Sequence, residues 1–188
     1  MMYKKRCSWV PLDKPDYVDY HDFEWGIPVH YDNKHFEMLS LEGAQAGLSW
    51  YTILKRRNGY RKAFQQFDPN KVAMMSNENL EVLLTNDEII RNRLKIFSVR
   101  KNAQVFLTIQ KEFRSFDNYV WQFVSNQSKS NFPKTMEDVP SRSPESDSLS
   151  KDLKKRGMSF IGSTIIYAYM QAIGMVNDHM KDCFAHTL

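Results

Sequence analysis

Four residues near the two ends of the chain carry side chains that bind transition metals. Cys7 and Cys183 are its only two cysteines, and each has a histidine upstream or downstream, His21 for Cys7 and His179 for Cys183. His179 precedes Cys183 by four positions, a spacing that puts two ligands on one face of a helix. A tetrahedral Cys₂His₂ zinc site is one interpretation. The alternatives are two free thiols or a disulfide between the termini, which a reducing compartment disfavours.

A second group of residues lies in one stretch of the first third of the chain. Gly43 and Gly47 interrupt a helix-compatible run, and each costs a helix interior about 1 kcal/mol relative to alanine. In a helix they would form a smooth face that another backbone or a flat ligand could approach closely. Glu42, Gln45 and Ser49 would share one side of that helix. The alternative interpretation is a tightly packed core helix with an exposed glutamate.

A third candidate is a short turn between two predicted helices near the carboxyl end. Gly157 and Gly162 bound this turn, so its backbone amides can point outward, and the next helix adds the partial positive charge of its N-terminus. Such a hairpin suits a phosphate oxygen. Basic side chains precede it, at Lys154, Lys155 and Arg156.

A weaker basic cluster falls on a long helical pattern in the middle of the chain, at Arg91, Arg93, Lys95, Arg100 and Lys101. Charge runs on helices are usually solvated faces, so DNA contact is the less favoured interpretation here. The net charge of +4 and the pI of about 9.0 are compatible with a polyanionic partner. With 188 residues and 42% hydrophobic content, the chain has the composition of a globular domain. No apolar run has the length of a membrane span or follows the pattern of a signal peptide, which predicts a cytoplasmic protein.

Apolar residues at three- and four-residue spacings predict an all-α fold that positions these groups. Residues 1–32 are expected to wrap the domain irregularly, and residues 125–148 to form a long surface connection. Asp32 and Ser49 are predicted N-caps. We expect one compact domain over residues 1–188, or else two lobes, in which residues 1–32 and 150–188 pack on 33–124. Further helices are expected at residues 70–75, 78–84, 87–110, 115–124, 150–156 and 163–173.

The combined motifs resemble a known family nearly end to end. They are Cys7-Ser8-Trp9, Tyr20 to Gly26, Leu41 to Trp50, Leu153 to Gly162, and Asn177-Asp178-His179 to Cys183. With them the chain is similar to the constitutive bacterial DNA-3-methyladenine glycosylases of type I. It departs from that family's pattern at Ser8, Asp87-Glu88 and Leu94, where glycines are common, which affects only the expected loop geometry and DNA contacts.

The resemblance implies a helix-hairpin-helix fold and the removal of 3-methyladenine, and less readily 3-methylguanine, from alkylated double-stranded DNA. It implies Glu42 as the catalytic candidate in a base pocket formed with Tyr20, Trp50 and Trp9. It also implies one structural zinc ion that joins the two terminal segments. The zinc ligands would be Cys7, His21, His179 and Cys183.

The chemistry of the residues agrees with this implication. An adenine methylated at N3 is cationic while attached to the sugar, so aromatic faces and a carboxylate suit it. The base must leave the duplex to reach such a pocket, and the Gly47-Leu48 segment is the candidate to fill its place. Because the pocket motifs contain no lysine for a Schiff base, we expect hydrolysis without strand cleavage. We expect a monomer without an obligatory protein partner and without membrane contact.

Two other classes of protein remain open from the sequence. A zinc-stabilised DNA-binding module without catalysis would explain the hairpin and the metal ligands, but not Glu42 among aromatic residues. A hydrolase of free nucleosides would explain the pocket, but not a phosphate-binding hairpin.

Overall fold

The computed structural model describes residues 4–187, which form ten α-helices and one pair of very short parallel strands. Within these residues, no helix combines the length and the apolar character that crossing a bilayer demands. The predicted all-α fold is confirmed. The strands are β1 (Lys129–Ser130) and β2 (Val176–Asn177). The helices are α1 (Pro15–Phe23), α2 (Asp32–Gln45), α3 (Trp50–Leu54), α4 (Arg57–Ala63), α5 (Pro69–Ala73), α6 (Asn77–Val82), α7 (Arg93–Phe113), α8 (Phe116–Trp121), α9 (Pro144–Lys155) and α10 (Ser163–Ala172).

Helix α2 lies at the centre of the molecule. Ten of its fourteen residues are buried, on every side of the helix, because α3, α7, α8 and α10 pack around it. Phe36, Met38, Leu39 and Leu41 are fully enclosed. In a helix that is buried on all sides, a polar side chain costs free energy unless it has a hydrogen-bond partner or serves a function.

The N-terminal segment is more regular than predicted. Residues 1–32 were expected to be irregular, but α1 lies within them and begins at Pro15, where a missing N–H costs nothing. Asp32 was predicted to cap α2, the helix that it begins, but it does not. Its carboxylate accepts hydrogen bonds from the backbone N–H groups of Phe116 and Asp117 at 2.9 Å, and so caps α8. A cap supplied from a distant segment leaves no local sequence signal.

Other boundaries are set by capping residues. Ser49 caps α3 as predicted, since its side chain accepts from the N–H of Thr52. The long helix begins at Arg93 rather than residue 87, because Asn92 caps it. The expected connection over residues 125–148 ends early, because Ser143 caps α9.

Candidate active site

A cavity of about 370 Å³ opens between α1, α2, α10 and the start of α3. The structure brings together the four residues predicted for a base pocket, which come from separate parts of the first third of the chain. They are Trp9, Tyr20, Glu42 and Trp50. The cavity is of a size that takes a small ligand, and six of its fifteen lining residues are aromatic.

Glu42 is the charged residue of this pocket. Its side chain is 3% exposed, and burial raises the pKa of its carboxyl group from 4.5 to about 8. Among residues 4–187 we find no hydrogen-bond donor for this carboxyl group. Most buried polar groups have a partner within the protein. A buried carboxyl group without one, in a cleft, marks a functional site.

Aromatic rings pack around the carboxyl group at close range. The ring centroids of Tyr20 and Trp50 are 5.1 Å apart, and Trp9 meets Trp25 edge to face at 4.9 Å. Burial raises the pKa of the Tyr20 phenol well above its usual value, so this group stays neutral. The Nε1 atom of Trp50 is buried and finds no acceptor among residues 4–187. The pocket therefore offers flat aromatic faces and polar groups that await a partner.

Part of the pocket wall was missed by the sequence analysis. Thr164, Tyr167 and Gln171 from one face of α10 line the cavity. Their spacing of three and four positions was visible, but nothing in the sequence indicated what that face would meet. Val139 and Pro140 of the connection before α9 also line the cavity. That connection was expected to be only a surface segment.

The two glycines of the pocket stretch do different work. A Cβ atom on Gly43 would lie 3.2 Å from the carbonyl oxygen of Phe160, so the absence of a side chain admits the backbone of the hairpin. Gly47 lies beyond the end of α2 with a φ of +78°, a conformation that favours glycine. The prediction that Glu42, Gln45 and Ser49 share one helix face was wrong for Ser49, which lies beyond the end of α2 and caps α3.

The loop after α2 borders the pocket. A second cavity, of about 160 Å³, is lined by Gly47 and Leu48 and also by Glu42 and Gln45 of the pocket. Leu48 is 39% exposed. The predicted DNA-contact segment therefore stands on the same side of the molecule as the base pocket.

The glycine-bounded hairpin, residues 157–162, connects α9 and α10. Gly157 has a φ of +106°, while Gly162 has an ordinary φ and open space beside it. Among residues 4–187 we find no acceptor for the backbone N–H groups of Phe160, Ile161 and Gly162. These groups lie directly before the N-terminus of α10, an arrangement that attracts anions.

Several of the basic residues proposed for DNA contact are engaged within the protein. Arg156 pairs with Glu112 and Asp152 at 2.6 Å, which leaves long-range attraction at the hairpin to Lys154 and Lys155. In the second cluster, Arg93 pairs with Glu81. Arg100 and Lys95 donate to backbone carbonyls, at Met75 and at Ala44 and Ala46 respectively.

The chain termini bring three predicted metal ligands together. Cys7, His21 and Cys183 are buried, and one ligand atom from each lies within 4.8 Å of the others. Both cysteines are free thiols, so the disulfide alternative is not found. The hydrogen bond with Cys7 and the contact with His21 lower the pKa of the Cys183 thiol. A thiolate is the form that binds metal.

His179 lies beside this group, with its ring centroid 5.0 Å from that of His21. Its Nδ1 atom is 2.9 Å from Oδ1 of Asn177, while its buried Nε2 atom has no partner among residues 4–187. Burial lowers the pKa of His179 to about 4, so the ring is neutral. If Nδ1 donates to Asn177, the lone pair of Nε2 is free for a metal ion. These residues fit a four-coordinate zinc site.

A helical scaffold with an enclosed aromatic pocket, a buried carboxyl group and an anion-attracting hairpin defines a class of enzyme that binds a flat cationic base from a nucleic acid. Comparison with known proteins narrows this class. The family model for methyladenine glycosylase matches residues 9–186. A DNA-3-methyladenine glycosylase 1 of Escherichia coli (strain K12) is 48% identical over 179 residues, which cover 95% of each chain.

Solved structures agree with the family match. A crystal structure of 3-methyladenine DNA glycosylase I is 48% identical, covers 97% of this chain and 100% of its own, and superposes with a TM-score of 0.94. A tyrosine-to-phenylalanine variant of such an enzyme, in complex with 3-methyladenine, is 33% identical, with coverage of 96% and 97% and a TM-score of 0.93. The chain belongs to the methyladenine glycosylase family.

Proposed function

We infer that this protein is a DNA-3-methyladenine glycosylase of type I, which hydrolyses the N-glycosidic bond of 3-methyladenine in alkylated DNA as a step of base-excision repair. The observation that carries this inference is the buried Glu42 carboxyl group, which has no hydrogen-bond partner among residues 4–187 and lines an aromatic pocket. The family match and the relative bound to 3-methyladenine agree with it. Membership of an enzyme family sets aside the non-catalytic DNA-binding module and the nucleoside hydrolase.

The pocket selects its substrate by charge and shape. An N3-methylated adenine carries positive charge while it is attached to the sugar, so the leaving group is already activated. The aromatic faces of Tyr20, Trp50 and Trp9 attract a flat cation, by about 0.5–2 kcal/mol. In the free protein Glu42 is mostly protonated at neutral pH, because burial raises its pKa to about 8. A cationic base beside it would lower that pKa and favour the carboxylate.

We assign to Glu42 two successive tasks in the reaction. As a carboxylate it accepts hydrogen bonds from the edge of the base, and these charge-assisted bonds are stronger than neutral ones. As the glycosidic bond breaks, positive charge moves to the sugar, and the same carboxylate stabilises it. None of the residues that line the pocket is a lysine. We therefore expect hydrolysis without a Schiff base and without strand cleavage.

The damaged nucleotide must leave the duplex to enter this pocket, which costs a few kcal/mol and least for a damaged base. We propose that Leu48, which follows Gly47 at the mouth of the pocket, fills the vacated place in the base stack. The positive φ of Gly47 turns the chain away from α2 and leaves Leu48 partly exposed. An apolar wedge of this kind stabilises an opened base step.

We further propose that α9, the hairpin and α10 form a helix-hairpin-helix unit that binds the DNA backbone. Gly157 and Gly162 give the hairpin a surface without side chains at its two ends. The N–H groups of Phe160, Ile161 and Gly162, which have no acceptor among residues 4–187, would bind a phosphate oxygen together with the N-terminus of α10. Double-stranded DNA is the expected partner, and affinity should fall steeply with salt.

Zinc is the metal that the four terminal residues fit. Cys7, His21, His179 and Cys183 would hold it with two sulfur and two nitrogen ligands, the set of many structural sites. When bound, zinc supplies a cross-link between the two ends of the chain. The hydrogen bonds that Asn177 and Asp22 make with the two histidine rings would orient the rings for this role.

The direct test of the proposed function is the identity of the released bases. Duplex DNA treated with a methylating agent is incubated with the protein, and the free bases are separated and identified. Release of 3-methyladenine, with less 3-methylguanine and with intact strands, is the expected result. Tight binding without any released base, or equal activity on free nucleosides, would contradict it.

A further inference from the structure

Helix α7 contacts both elements that the proposed function places against DNA. Near its start, the Nζ atom of Lys95 donates to the carbonyl oxygens of Ala44 at 2.8 Å and of Ala46 at 2.6 Å. Two turns further on, Asn102 forms two hydrogen bonds with the backbone of Ser159 in the hairpin. Neither residue lines the base pocket.

Lys95 fixes the direction in which the chain leaves α2. The last carbonyl groups of a helix have no partner within the helix, and they carry its partial negative charge. The ammonium group of Lys95 lies at this end of α2. It donates hydrogen bonds to the carbonyl oxygens of Ala44 and Ala46, on either side of Gln45. The next two residues are Gly47 and Leu48, so Lys95 holds the base of the loop that would enter the DNA stack.

Asn102 holds the hairpin in the same way. Its side chain is 6% exposed; Nδ2 donates to the carbonyl oxygen of Ser159 at 2.9 Å, and Oδ1 accepts from the N–H of Ser159 at 2.9 Å. An amide that satisfies both polar groups of one residue permits only one orientation of that residue. The hairpin N–H groups that follow, from Phe160 to Gly162, have no acceptor among residues 4–187, so Asn102 fixes the residue directly before them.

The two contacts lie on one face of one rigid element. Lys95 and Asn102 are seven residues apart, which is two helical turns and about 10 Å along the axis. The two held elements also meet directly, since the carbonyl of Phe160 lies against Gly43 of α2. The distance between the loop at residues 47–48 and the hairpin is therefore held by this direct contact and by the segment of α7 between Lys95 and Asn102.

We propose that Lys95 and Asn102 are positioning residues that fix the spacing between the 47–48 loop and the phosphate-binding hairpin, and so fit the protein to duplex DNA with a base removed from its stack. This inference rests on the proposed function. It assigns an internal role to Lys95, whose charge the sequence suggested for direct DNA contact. Removal of either side chain should lower the affinity for duplex DNA and leave the base pocket intact.

The test uses four variants of the full chain. Lys95→Met and Asn102→Ala each remove one anchor, and Lys95→Arg keeps a donor at the same carbonyl groups. Lys111→Met is the matched control, because Lys111 is exposed on the same helix and its replacement changes the net charge equally. Three quantities are measured: affinity for a duplex with an abasic site, single-turnover excision of 3-methyladenine from duplex DNA, and affinity for free 3-methyladenine by tryptophan fluorescence.

We expect Lys95→Met and Asn102→Ala to lower duplex affinity and excision by about tenfold, and free-base affinity by less than about twofold. Lys95→Arg should recover most of the loss, and Lys111→Met should resemble the wild type. Duplex affinity equal to that of the control would overturn the proposal, as would a parallel fall in free-base affinity, which indicates a general structural role. A wild type that releases no 3-methyladenine would refute the proposed function instead, and duplex affinity would still decide between anchors and control.

Discussion

At the scale of single residues, Glu42 carries an energetic cost that only a ligand explains. Its carboxyl group is enclosed by aromatic rings and has no donor among residues 4–187, so ionisation within the empty pocket is unfavourable. The raised pKa of about 8 expresses that cost. A packing role would be filled better by glutamine or leucine. A bound cationic base would supply the positive charge that stabilises the ionised Glu42 carboxylate.

Glu42→Gln should slow excision while leaving the shape of the pocket unchanged. The substitution removes one negative charge and turns part of the acceptor capacity into donor capacity. Loss of charge-assisted hydrogen bonds predicts single-turnover release of 3-methyladenine slower by about tenfold to a hundredfold. Affinity for an abasic duplex should be retained. Glu78→Gln, at an exposed site on α6, is the control, and equal release rates for the two variants would assign Glu42 to packing.

The pH dependence of the reaction follows from the same pKa. The free enzyme binds a cationic base best when Glu42 is ionised, and the ionised fraction rises with pH towards about 8. Because kcat/KM reports the free enzyme, we expect this ratio to increase from about pH 6 through pH 8 and to level off only about one to two pH units above the pKa of Glu42. The charge of the N3-methylated nucleotide does not titrate. In Glu42→Gln this rise should disappear; a rise that persists would place the titrating group elsewhere.

Stability should depend on pH in the opposite direction. The pKa of Glu42 is about 8 in the folded protein against 4.5 for an ordinary glutamate, so between these values the folded state holds a proton that the unfolded state has released. Stability from this group therefore falls as pH rises through that window. Thermal unfolding should show Glu42→Gln more stable than the wild type at pH 8, by roughly 1–3 kcal/mol. Near pH 4.5 the difference should vanish, and a constant difference would contradict the assignment.

At the scale of elements, three helices make separate contributions to the pocket and to the proposed DNA-contact elements. The carboxyl group comes from α2, the opposite wall of the pocket comes from α10, and the spacing of the DNA-contact elements comes from α7. The hairpin joins all three, because it precedes α10, rests on Gly43 of α2 and is held by Asn102 of α7. A change in the hairpin can therefore affect DNA binding without a change in the pocket.

Gly162 allows the hairpin to be tested without a folding defect. Its φ is not in the left-handed region and a Cβ atom there would meet nothing within 4 Å, so both Gly162→Ala and Gly162→Asp should fold normally. We expect Gly162→Asp to weaken duplex binding by about tenfold through repulsion of phosphate. Gly162→Ala should retain most of the affinity. Gly157→Asp should also weaken binding, although its φ of +106° strains any side chain.

The contrast between the two Gly162 variants is the informative measurement. Affinity for an abasic duplex is measured at several salt concentrations, with thermal unfolding alongside. If Gly162→Asp binds DNA as Gly162→Ala does, the hairpin is a packing corner and another surface carries the duplex.

At the scale of the whole molecule, the two termini close on each other beside the pocket. The N–H of Phe184 donates to the carbonyl of Lys5 at 2.8 Å. Trp9, which lies four residues after Lys5 and two after Cys7, lines the pocket. A metal cross-link at the termini would therefore support one wall of the active site. The division of residues 1–188 into two helical lobes stays a prediction.

Purified protein should contain about one equivalent of zinc in a tetrahedral site. Cys183→Ser should lose the metal and lower the melting temperature, because metal binding stabilises only the folded state. Its affinity for free 3-methyladenine should fall far less than its stability. Elemental analysis and thermal unfolding, with and without a strong chelator, provide the measurement. Freshly purified protein without zinc, or a chelator that leaves the melting temperature unchanged, would refute the proposal of a structural zinc site between the termini.

Features that leave a local signal could be predicted from the sequence. The three- and four-residue spacing predicted an all-α fold, the serine before α3 predicted its cap, and residue type with motif predicted Glu42, Tyr20, Trp50 and Trp9 as one pocket. Gly43 was recognised as a place of close approach, because a helix tolerates glycine only where something offsets its cost. The fold class, the cap and the role of Gly43 followed from helix periodicity and side-chain chemistry, whereas the set of pocket residues was implied by the resemblance of the motifs to a known family.

The tertiary structure alone decided which distant segments meet. Asp32 was predicted to cap its own helix and instead caps α8. Lys95 belongs to a basic cluster for which a solvated helix face was the favoured interpretation, and it instead holds the end of α2. The wall formed by α10, and the burial that raises the pKa of Glu42, likewise depend on neighbours far away in the chain. Hydrogen bonds and desolvation depend on distance in space, and a sequence pattern specifies a face without specifying its partner.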